Sequence, residues 1–257
     1  MSFFMITGAS AGIGLELAYL YGQKKRDLIL VARSEDKLQK CQTDLKEKFG
    51  VKVVIFVADL SQRQQVKNLC LFITEKDLQV DILVNNAGVG RSGDFGRDSL
   101  EKNLEMMHLN MDALVSLTHK VLPQMRHRGK GHIINVASVA AFLPGPYMNV
   151  YYATKAFVLS FSEALREEVL SEGVNVSALC PGPVKTEFFN TSGMGESVRL
   201  EQLPFILSAK SVAEDAFNLT LSKKPFKVSG FSNKLLTVVI KFAPRLVTRK
   251  IVRNLNV

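Results

Sequence analysis

The chain has 257 residues, of which 47% are hydrophobic and 22% are charged. This length and composition predict one large α/β domain with a buried core and exclude an intrinsically disordered protein. The formal net charge is +9, yet nine Lys or Arg and no acid lie within residues 223–257. The rest of the chain has equal numbers of acidic and basic residues. Because the basic end carries no aromatic platform or recognition motif, its charge does not indicate nucleic-acid binding.

The cysteines and the chain's apolar stretches bear on its cellular compartment. Three widely spaced cysteines, with no Cys or His at metal-ligand spacing, predict buried reduced thiols and no metal site. The N-terminus runs directly into Thr7 and Gly8 without a basic flank, which is typical of a first strand and not of a signal peptide. Residues 235–243 are interrupted by Lys241 and too short to span a bilayer. We therefore expect a cytoplasmic protein.

Strand-like and helix-like segments alternate along the chain. Apolar runs typical of buried strands occupy residues 3–7, 28–32, 51–57, 82–85, 132–136 and 174–179. Stretches with amphipathic helical spacing lie between them, among them 34–49 and 100–122, and Pro123 is expected in or near a helix end. This alternation predicts a parallel sheet covered by helices on both faces, which is a doubly wound Rossmann fold formed by a single domain over residues 1–257.

A glycine-rich loop follows the first predicted strand. Residues 8–14 read Gly-Ala-Ser-Ala-Gly-Ile-Gly and open a helix near Ile13. Glycines at positions 8, 12 and 14 let the backbone turn tightly and approach a pyrophosphate, whose charge is stabilised by amides at the helix N-terminus. The loop predicts a dinucleotide site, the alternative being a purely structural turn. The predicted contacts are Gly8, Ser10, Gly12, Ile13 and Gly14.

The end of the second predicted strand bears on the choice of nucleotide. Dinucleotide-binding folds that use NAD usually place an acid there to hold the ribose 2′-hydroxyl, but this strand ends with Arg33. A guanidinium pairs bidentately with a 2′-phosphate, so we predict NADP(H), with Ser10 adding a hydrogen bond. The alternative for Arg33 is a solvated loop charge. Asp59, after the third strand, is placed to face the adenine or, equally, to cap a helix before Ser61.

Three side chains have the spacing needed for proton chemistry. Tyr151 and Lys155 lie one helical turn apart on the same face. The ammonium, together with nicotinamide ribose hydroxyls, is expected to lower the pKa of the phenol and make it a proton donor near neutral pH. Ser138 follows the strand at 132–136, at the carboxyl end where open α/β sheets bind ligands. Its hydroxyl is placed to hydrogen-bond a substrate carbonyl.

Taken together, these residues resemble the short-chain dehydrogenase/reductase family. The resemblance covers residues 7–187 and rests, in chain order, on Thr7-Gly8 with Gly12 and Gly14, Asn85-Asn86-Ala87-Gly88, Asn110, Ser138, Tyr151 with Lys155, and Pro181-Gly182. It implies hydride transfer between NADP(H) and a carbonyl or alcohol. An NADP(H)-binding sensor or regulatory protein with little turnover is the alternative, but the intact Ser, Tyr and Lys favour an enzyme.

The resemblance also implies individual roles. Tyr151 is expected to be the general acid/base, Lys155 to bind the nicotinamide ribose, Ser138 to orient the carbonyl, and Asn110 to hold a water linking Lys155 to solvent. The other residues expected to contact the cofactor are Asn86, Ala87, Gly88, Pro181, Gly182, Val184 and Thr186.

The predicted substrate end of the site is mainly apolar. This composition favours a lipophilic ketone, aldehyde or 3-oxoacyl compound, although each side chain has packing against the sheet as an alternative role. Residues 186–211 interrupt the helix and strand pattern with glycines and apolar side chains, which is typical of a substrate flap. The predicted substrate contacts are Ala140, Leu143, Tyr147 and Phe188.

Residues 231–257 extend beyond the point where the family's fold commonly ends. They predict a basic helical extension, divided into two helices by Pro244. If they are helical, Lys234, Lys241, Arg245 and Arg249 form a stripe opposite Leu236, Val239 and Val247. Peripheral contact with anionic lipid, or packing on the body or on a partner subunit, are the alternatives. Family oligomers are built from helices such as 103–122 and 151–170, so a homodimer or homotetramer is expected.

Overall fold

The computed structural model describes residues 2–186, 188 and 206–255. Its centre is a seven-stranded parallel sheet in the order β3-β2-β1-β4-β5-β6-β9, which confirms the predicted doubly wound fold. The sheet consists of β1 (Ser2–Thr7), β2 (Leu28–Ala32), β3 (Val53–Val57), β4 (Gln79–Asn85), β5 (Gly131–Val136), β6 (Val174–Cys180) and β9 (Phe226–Val228). Two short strands, β7 (Val184–Lys185) and β8 (Leu207–Ser208), pair with each other outside it.

Helices cover both faces of the sheet. They are α1 (Gly12–Gln23), α2 (Glu35–Phe49), α3 (Arg63–Glu75), α4 (Leu100–Met107), α5 (Ala113–His127), α6 (Asn149–Val169), α7 (Ala209–Ser222), α8 (Phe231–Phe242) and α9 (Arg245–Leu255). Because side chains alternate along a strand, Met5 and Ile6 point to opposite faces. Ile6 packs with α1, α2 and α7, whereas Met5 packs with α3, α5 and α6. Both faces are therefore buried, which explains the uniformly apolar strands.

Helix α2 shows how local sequence sets an element's bounds. Ser34 is its N-cap residue, Glu35 and Asp36 lie in its first turn, and lysines lie in its last turn, so the charges complement the helix dipole. Gly50 ends the helix with φ of +64°, a conformation that glycine adopts without strain. Leu38 and Leu45 are fully buried against the sheet, and each stabilises the fold by about 1.5–3 kcal/mol.

The predicted helix over residues 100–122 differs from the structure. A π-helical turn, His108–Asp112, separates α4 from α5, and this turn carries Asn110. Pro123 lies inside α5, which continues to His127, so the helix does not end at the proline. A proline lacks a backbone donor and its ring crowds the carbonyl four residues earlier, yet here four more helical residues follow it.

The three cysteines are free thiols, and each lies among the residues that the structure describes. Cys41 and Cys180 are free and buried, and Cys70 is free and half-buried. Burial raises the pKa of the Cys41 thiol to about 11 and that of Cys180 to about 12, so both are protonated at neutral pH. Among the helices that the structure describes, none is long and apolar enough to cross a membrane.

Candidate active site

The carboxyl ends of the central strands meet at one edge of the sheet. Thr7 ends β1, and its hydroxyl oxygen accepts hydrogen bonds from the backbone N–H groups of Asn86 and Ala87, both at 3.0 Å. The same hydroxyl donates to the Val84 carbonyl at 3.3 Å. Thr7 therefore fastens the start of the glycine loop to the end of β4, a role that the sequence did not reveal.

The glycine loop is folded against the segment that follows β4. The Asn86 side chain donates to the carbonyls of Thr7 at 2.9 Å and Gly8 at 3.2 Å. A Cβ atom on Gly14 would lie 2.4 Å from the Gly8 carbonyl oxygen, so this close approach requires glycine. Gly8 and Gly12 have φ of +67° and +55°. Asn86 thus holds the loop, in addition to its predicted place beside a cofactor.

The N-terminus of α1 fits a pyrophosphate. The helix begins at Gly12, and among the described residues no side chain caps its first amides and no acid lies in its first turn. Its N–H groups are therefore available to an anion, whose charge the helix dipole stabilises. Ser10 lies in the loop before the helix, and Ile13 lies in its first turn, partly buried against the core.

Arg33 and Asp59 face each other at the ends of β2 and β3. The Arg33 side chain is 67% exposed, and its Nη1 atom lies 4.0 Å from Oδ2 of Asp59. The other Asp59 oxygen accepts hydrogen bonds from the Ser61 backbone N–H at 3.0 Å and hydroxyl at 2.8 Å. Asp59 thus closes a turn before α3, whose N-cap residue is Gln62, so the expectation that Asp59 caps this helix is wrong. A pair this long and exposed is weak, so the guanidinium retains donors for a phosphate.

Ser138, Tyr151 and Lys155 are brought together from two segments. Ser138 follows β5, and its hydroxyl oxygen accepts from the Ala140 N–H at 3.1 Å while donating to the Pro181 carbonyl at 3.4 Å. Tyr151 and Lys155 lie one turn apart on α6, with Lys155 Nζ 5.9 Å from the centre of the Tyr151 ring. All three residues are buried, and Lys155 donates to the Val136 carbonyl at 2.9 Å.

Burial controls the protonation of this group. It raises the pKa of Tyr151 to about 12, although a hydrogen bond with Ser138 lowers that pKa in part. Burial also lowers the pKa of Lys155 to about 8. In the chain alone the pKa of the phenol is thus raised and not lowered, because loss of solvation dominates; the lowering expected from Lys155 together with nicotinamide ribose hydroxyls stays a prediction. At neutral pH the phenol is protonated and the ammonium is charged.

Asn110 joins the loop after β4 to α6. Its side-chain oxygen accepts from the Val89 N–H at 3.0 Å, and its nitrogen donates to the Val89 carbonyl at 2.9 Å and to the Thr154 hydroxyl at 3.1 Å. Thr154 in turn donates to the Tyr151 carbonyl at 2.7 Å. Asn110 therefore positions the turn of α6 that carries Tyr151. Its predicted water stays a prediction.

The loop after β4 approaches the same group closely. A Cβ atom on Gly88 would lie 3.1 Å from Asn110 Oδ1 and 3.4 Å from Lys155 Nζ. Glycine therefore lets this backbone lie beside the lysine. The sequence singled out Gly88 but missed Thr154, whose signal was its place between Tyr151 and Lys155.

The segment after β6 borders the glycine loop. The Pro181 carbonyl accepts from the Val139 N–H at 2.9 Å, which ties this segment to the turn after Ser138. Val184 is buried in β7, and a Cβ atom on Gly12 would lie 3.0 Å from the Thr186 methyl group. Gly182 leaves no room for a side chain, because its Cβ would lie 2.3 Å from Asn233 Nδ2 of α8.

The predicted substrate contacts divide into two groups. Ala140 and Phe188 pack with Tyr151, and the Phe188 and Tyr151 ring centres are 5.6 Å apart. Leu143 and Tyr147 are half-buried and are not among the described members of that apolar cluster. The Tyr147 carbonyl instead accepts from the Gly93 N–H at 2.8 Å. Of the predicted flap, residues 187 and 189–205 lie outside the described residues.

Two further members of this cluster complete its apolar wall. Met106 of α4 and Met148 are both buried there. The predicted substrate contacts include neither residue, and Met106 comes from a helix distant in sequence.

Comparison with known proteins gives relatives over most of the chain. Residues 3–196 match the family model of the short chain dehydrogenases. The ketoacyl reductase HetN of Nostoc sp. is 31% identical over 242 residues, covering 93% of this chain and 78% of that protein. The very-long-chain 3-oxoacyl-CoA reductase of Anas platyrhynchos is 33% identical over 73% of this chain, and the match spans 61% of that protein's length.

Solved structures with the same fold are also similar to this chain. A short-chain dehydrogenase from Sphingobium yanoikuyae in complex with NADPH superposes with a TM-score of 0.83 at 32% identity, covering 89% of this chain and 87% of that chain. Sequence, fold and the arrangement at the sheet's edge agree. The chain belongs to the short-chain dehydrogenase/reductase family, whose members are oxidoreductases acting on CH–OH and C=O groups.

Proposed function

We propose that this protein is an NADP(H)-dependent reductase of lipophilic carbonyl compounds, of the ketone, aldehyde or 3-oxoacyl type. The observation that carries the proposal is the meeting of Ser138, Tyr151 and Lys155, all buried, at the edge of the sheet that also holds the glycine loop. A sensor without turnover does not require three buried proton-handling groups at one point. The arrangement therefore favours catalysis.

The proposed cofactor site is assembled from the loops at this edge. The amides of the glycine loop and α1 would hold the pyrophosphate, and Arg33 with Ser10 would hold the 2′-phosphate. Asp59 would face the adenine, and Lys155 the nicotinamide ribose. The residues proposed to line the remaining surface are Asn86, Ala87, Gly88, Pro181, Gly182, Val184 and Thr186. When bound, NADPH supplies the hydride that reduces the carbonyl carbon.

The chain's own residues supply orientation and a proton. The Ser138 hydroxyl would donate to the substrate carbonyl oxygen and fix it beside Tyr151. Because its pKa is about 12, the phenol carries its proton at neutral pH and can deliver it to the developing alkoxide. The Lys155 ammonium, with a pKa of about 8, would stabilise the phenolate that remains. The surrounding low-dielectric site strengthens that attraction.

The substrate class follows from the wall beside Tyr151. Ala140, Phe188, Met106 and Met148 present carbon and sulfur and no charge, which favours an apolar chain next to the reacting carbonyl. Leu143 and Tyr147 are proposed to extend this wall. Similarity to a ketoacyl reductase and a very-long-chain 3-oxoacyl-CoA reductase supports an acyl substrate.

The proposal is tested by following NADPH oxidation, with NADH in parallel, against apolar ketones, aldehydes and 3-oxoacyl thioesters. We expect NADPH to be preferred, and Tyr151→Phe to reduce turnover by about 10²- to 10⁴-fold. Tyr152→Phe, on the same helix, is the matched control and should retain activity. Arg33→Ala should lower the preference for NADPH about tenfold.

Two outcomes would contradict the proposal. Tight NADPH binding with no turnover of any carbonyl would favour the sensor alternative. Absence of binding to either nucleotide would exclude the whole assignment, including the dinucleotide site.

We also infer that the protein forms a homodimer or homotetramer through the predicted helices, 103–122 and 151–170. Support comes from Leu104 of α4 and Phe157 of α6, which are exposed although large and apolar. Light scattering should show an oligomer that Leu104→Glu with Phe157→Glu converts to a monomer. A monomeric wild-type protein would refute this inference.

A further inference from the structure

Helix α8 turns its polar side toward the body and its apolar side away from it. The buried residues are Asn233 and Thr237, which are 4% and 5% exposed, and their side chains bond to the carbonyls of Ser229 and Lys234. In contrast, Phe231 and Phe242 are 83% and 85% exposed. A surface helix normally buries its apolar stripe. This one presents the stripe to its surroundings.

The exposed apolar side chains of α8 form one continuous stripe. Phe231, Leu235, Val238 and Phe242 follow one another at intervals of four, three and four residues, which places them on one side of a helix. Asn233, about half a turn from Phe231, lies on the opposite side. The stripe therefore points directly away from the protein body.

Helix α9 also leaves apolar side chains exposed, although it buries one, Val252. Thr248 and Val252 are its buried residues, one turn apart. Val247 and Ile251, also one turn apart, are about half exposed. We call the exposed apolar side chains of α8 and α9 the C-terminal face. The two helices pack on the body through their buried residues, and this packing leaves the C-terminal face uncovered.

Basic side chains accompany the C-terminal face; on α9 they lie about half a turn from Val247 and Ile251, on the side of the exposed Leu246. Arg245, Arg249 and Arg253 stand at four-residue intervals on α9 and are exposed, and Lys234 is exposed on α8. The whole segment 223–257 contains nine Lys or Arg and no acid. The face is thus an apolar surface within a strongly positive field.

We propose that the C-terminal face docks on an anionic lipid bilayer, with its apolar stripe in the headgroup region and its arginines on the lipid phosphates. An apolar face on a segment that is rich in cations and free of acids is complementary to such a surface. A second copy of this chain suits the face poorly, because a symmetric interface would bring the two sets of cations together without acids to pair them. Charge complementarity therefore selects lipid.

The docking face adjoins the candidate active site. Asn233 of α8 packs on Gly182, and α8 also contacts the turn Val139–Phe142 that follows Ser138. A bilayer at this face would lie about one helix diameter from the candidate active site, with α8 between them, so it would concentrate a lipophilic carbonyl compound close to that site. This consequence rests on the proposed function, whereas the docking itself does not.

The test is co-sedimentation of the full chain with vesicles, without substrate or cofactor. We expect binding to phosphatidylcholine vesicles that contain phosphatidylglycerol, and weak binding to pure phosphatidylcholine. Leu235→Ser with Phe242→Ser should lower the partition coefficient at least about tenfold, because both apolar side chains leave the interface.

Charge-reversal variants measure the electrostatic contribution to vesicle binding. Arg245→Glu with Arg249→Glu should lower partitioning about 100-fold, and high salt should weaken wild-type binding. The matched controls are Leu221→Ser, an exposed leucine on α7, and Lys67→Glu with Lys102→Glu, two exposed lysines elsewhere. These should bind as the wild type does. Circular dichroism establishes that each variant is folded.

Several outcomes would overturn the proposal. One is equal binding to neutral and anionic vesicles with no effect of charge reversal, and another is no binding to either. A third is that the apolar variant changes the oligomeric state in light scattering while vesicle binding is unchanged, because a second copy would then cover the face. None of these results depends on catalytic activity.

Discussion

The buried ammonium of Lys155 should give reduction a basic limb in its pH profile. Burial lowers the pKa of this lysine to about 8, because the charged form loses its solvation. Below that pH the ammonium is charged and stabilises the phenolate formed when Tyr151 gives up its proton. Above it the charge is lost, and the proton transfer becomes unfavourable.

The size of the effect follows from this pKa. The charged fraction of Lys155 is about one half at pH 8, about one tenth at pH 9 and about one hundredth at pH 10. Reduction should therefore be level below pH 8 and fall about tenfold per pH unit above it. The pKa of Tyr151, about 12, lies above this window and adds no second limb.

The assay is kcat/KM for the carbonyl substrate at saturating NADPH, because this quantity reports the ionisations of the enzyme form that the carbonyl meets. Lys155→Arg is the matched variant: its guanidinium stays charged throughout, so its activity should be lower in level but flat from pH 7 to 10. A wild-type profile that is flat to pH 10 would refute the reasoning. So would an equal fall in Lys155→Arg, since the titrating group would then be another residue.

Three further predictions concern stability, cofactor affinity and substrate affinity. Burial lowers the pKa of His132 to about 4 in the folded chain, so the stability that the neutral imidazole gives is present above pH 6.5 and is lost on acidification. Between pH 7 and 4 the unfolding free energy, measured with urea, should fall by about 3 kcal/mol less in His132→Gln than in the wild type. An equal fall in both proteins would contradict this. Gly14→Ala should raise the Kd of NADPH at least about tenfold by calorimetry, because its Cβ would meet the Gly8 carbonyl; wild-type affinity would contradict the pyrophosphate fit. Phe188→Ala should raise KM for a lipophilic carbonyl about tenfold with a smaller change in kcat, whereas the exposed Phe95→Ala should not; equal effects would contradict the proposed wall.

The sequence predicted the sheet well because its strands are long apolar runs. Strand β9 was missed, since Phe226–Val228 has only three residues and is recognised by its pairing with β6 and not by its pattern. The π-helical turn around Asn110 was also missed. Apolar spacing continues through it, and only the backbone geometry shows the interruption.

The contacts between buried polar side chains could not be predicted from the sequence. Asn85 donates to the side chain of Asn135 at 2.9 Å, and Asn135 donates to Ser162 at 2.9 Å. These residues lie on β4, β5 and α6, far apart in sequence. In the sequence each is therefore an isolated polar residue within an apolar segment. Their pairing becomes evident only when the sheet sets neighbouring strands in register.

The pKa of Tyr151 shows a different limit. Spacing placed the phenol one turn from Lys155 and led to a lowered pKa as the expectation. Spacing does not report how completely a residue is desolvated, and burial is the largest effect on both groups. The pairing was predictable, but the direction of the shift on the tyrosine was not.

These two pKa values together fix how alcohol oxidation must depend on pH. Oxidation needs the phenolate of Tyr151 and, beside it, the charged Lys155. Between pH 6 and 8 the lysine stays charged while the phenolate fraction rises about tenfold per unit, so oxidation should rise in step. Above pH 8 the growing phenolate fraction and the loss of lysine charge cancel, and oxidation should level where reduction begins to fall. The ratio of the two rates then changes about tenfold per unit at every pH, as it must for a reaction in which reduction consumes one proton. Measuring both directions from pH 6 to 10 checks this, and an oxidation profile still rising at pH 10 while reduction also falls would show that the two groups do not titrate as assigned.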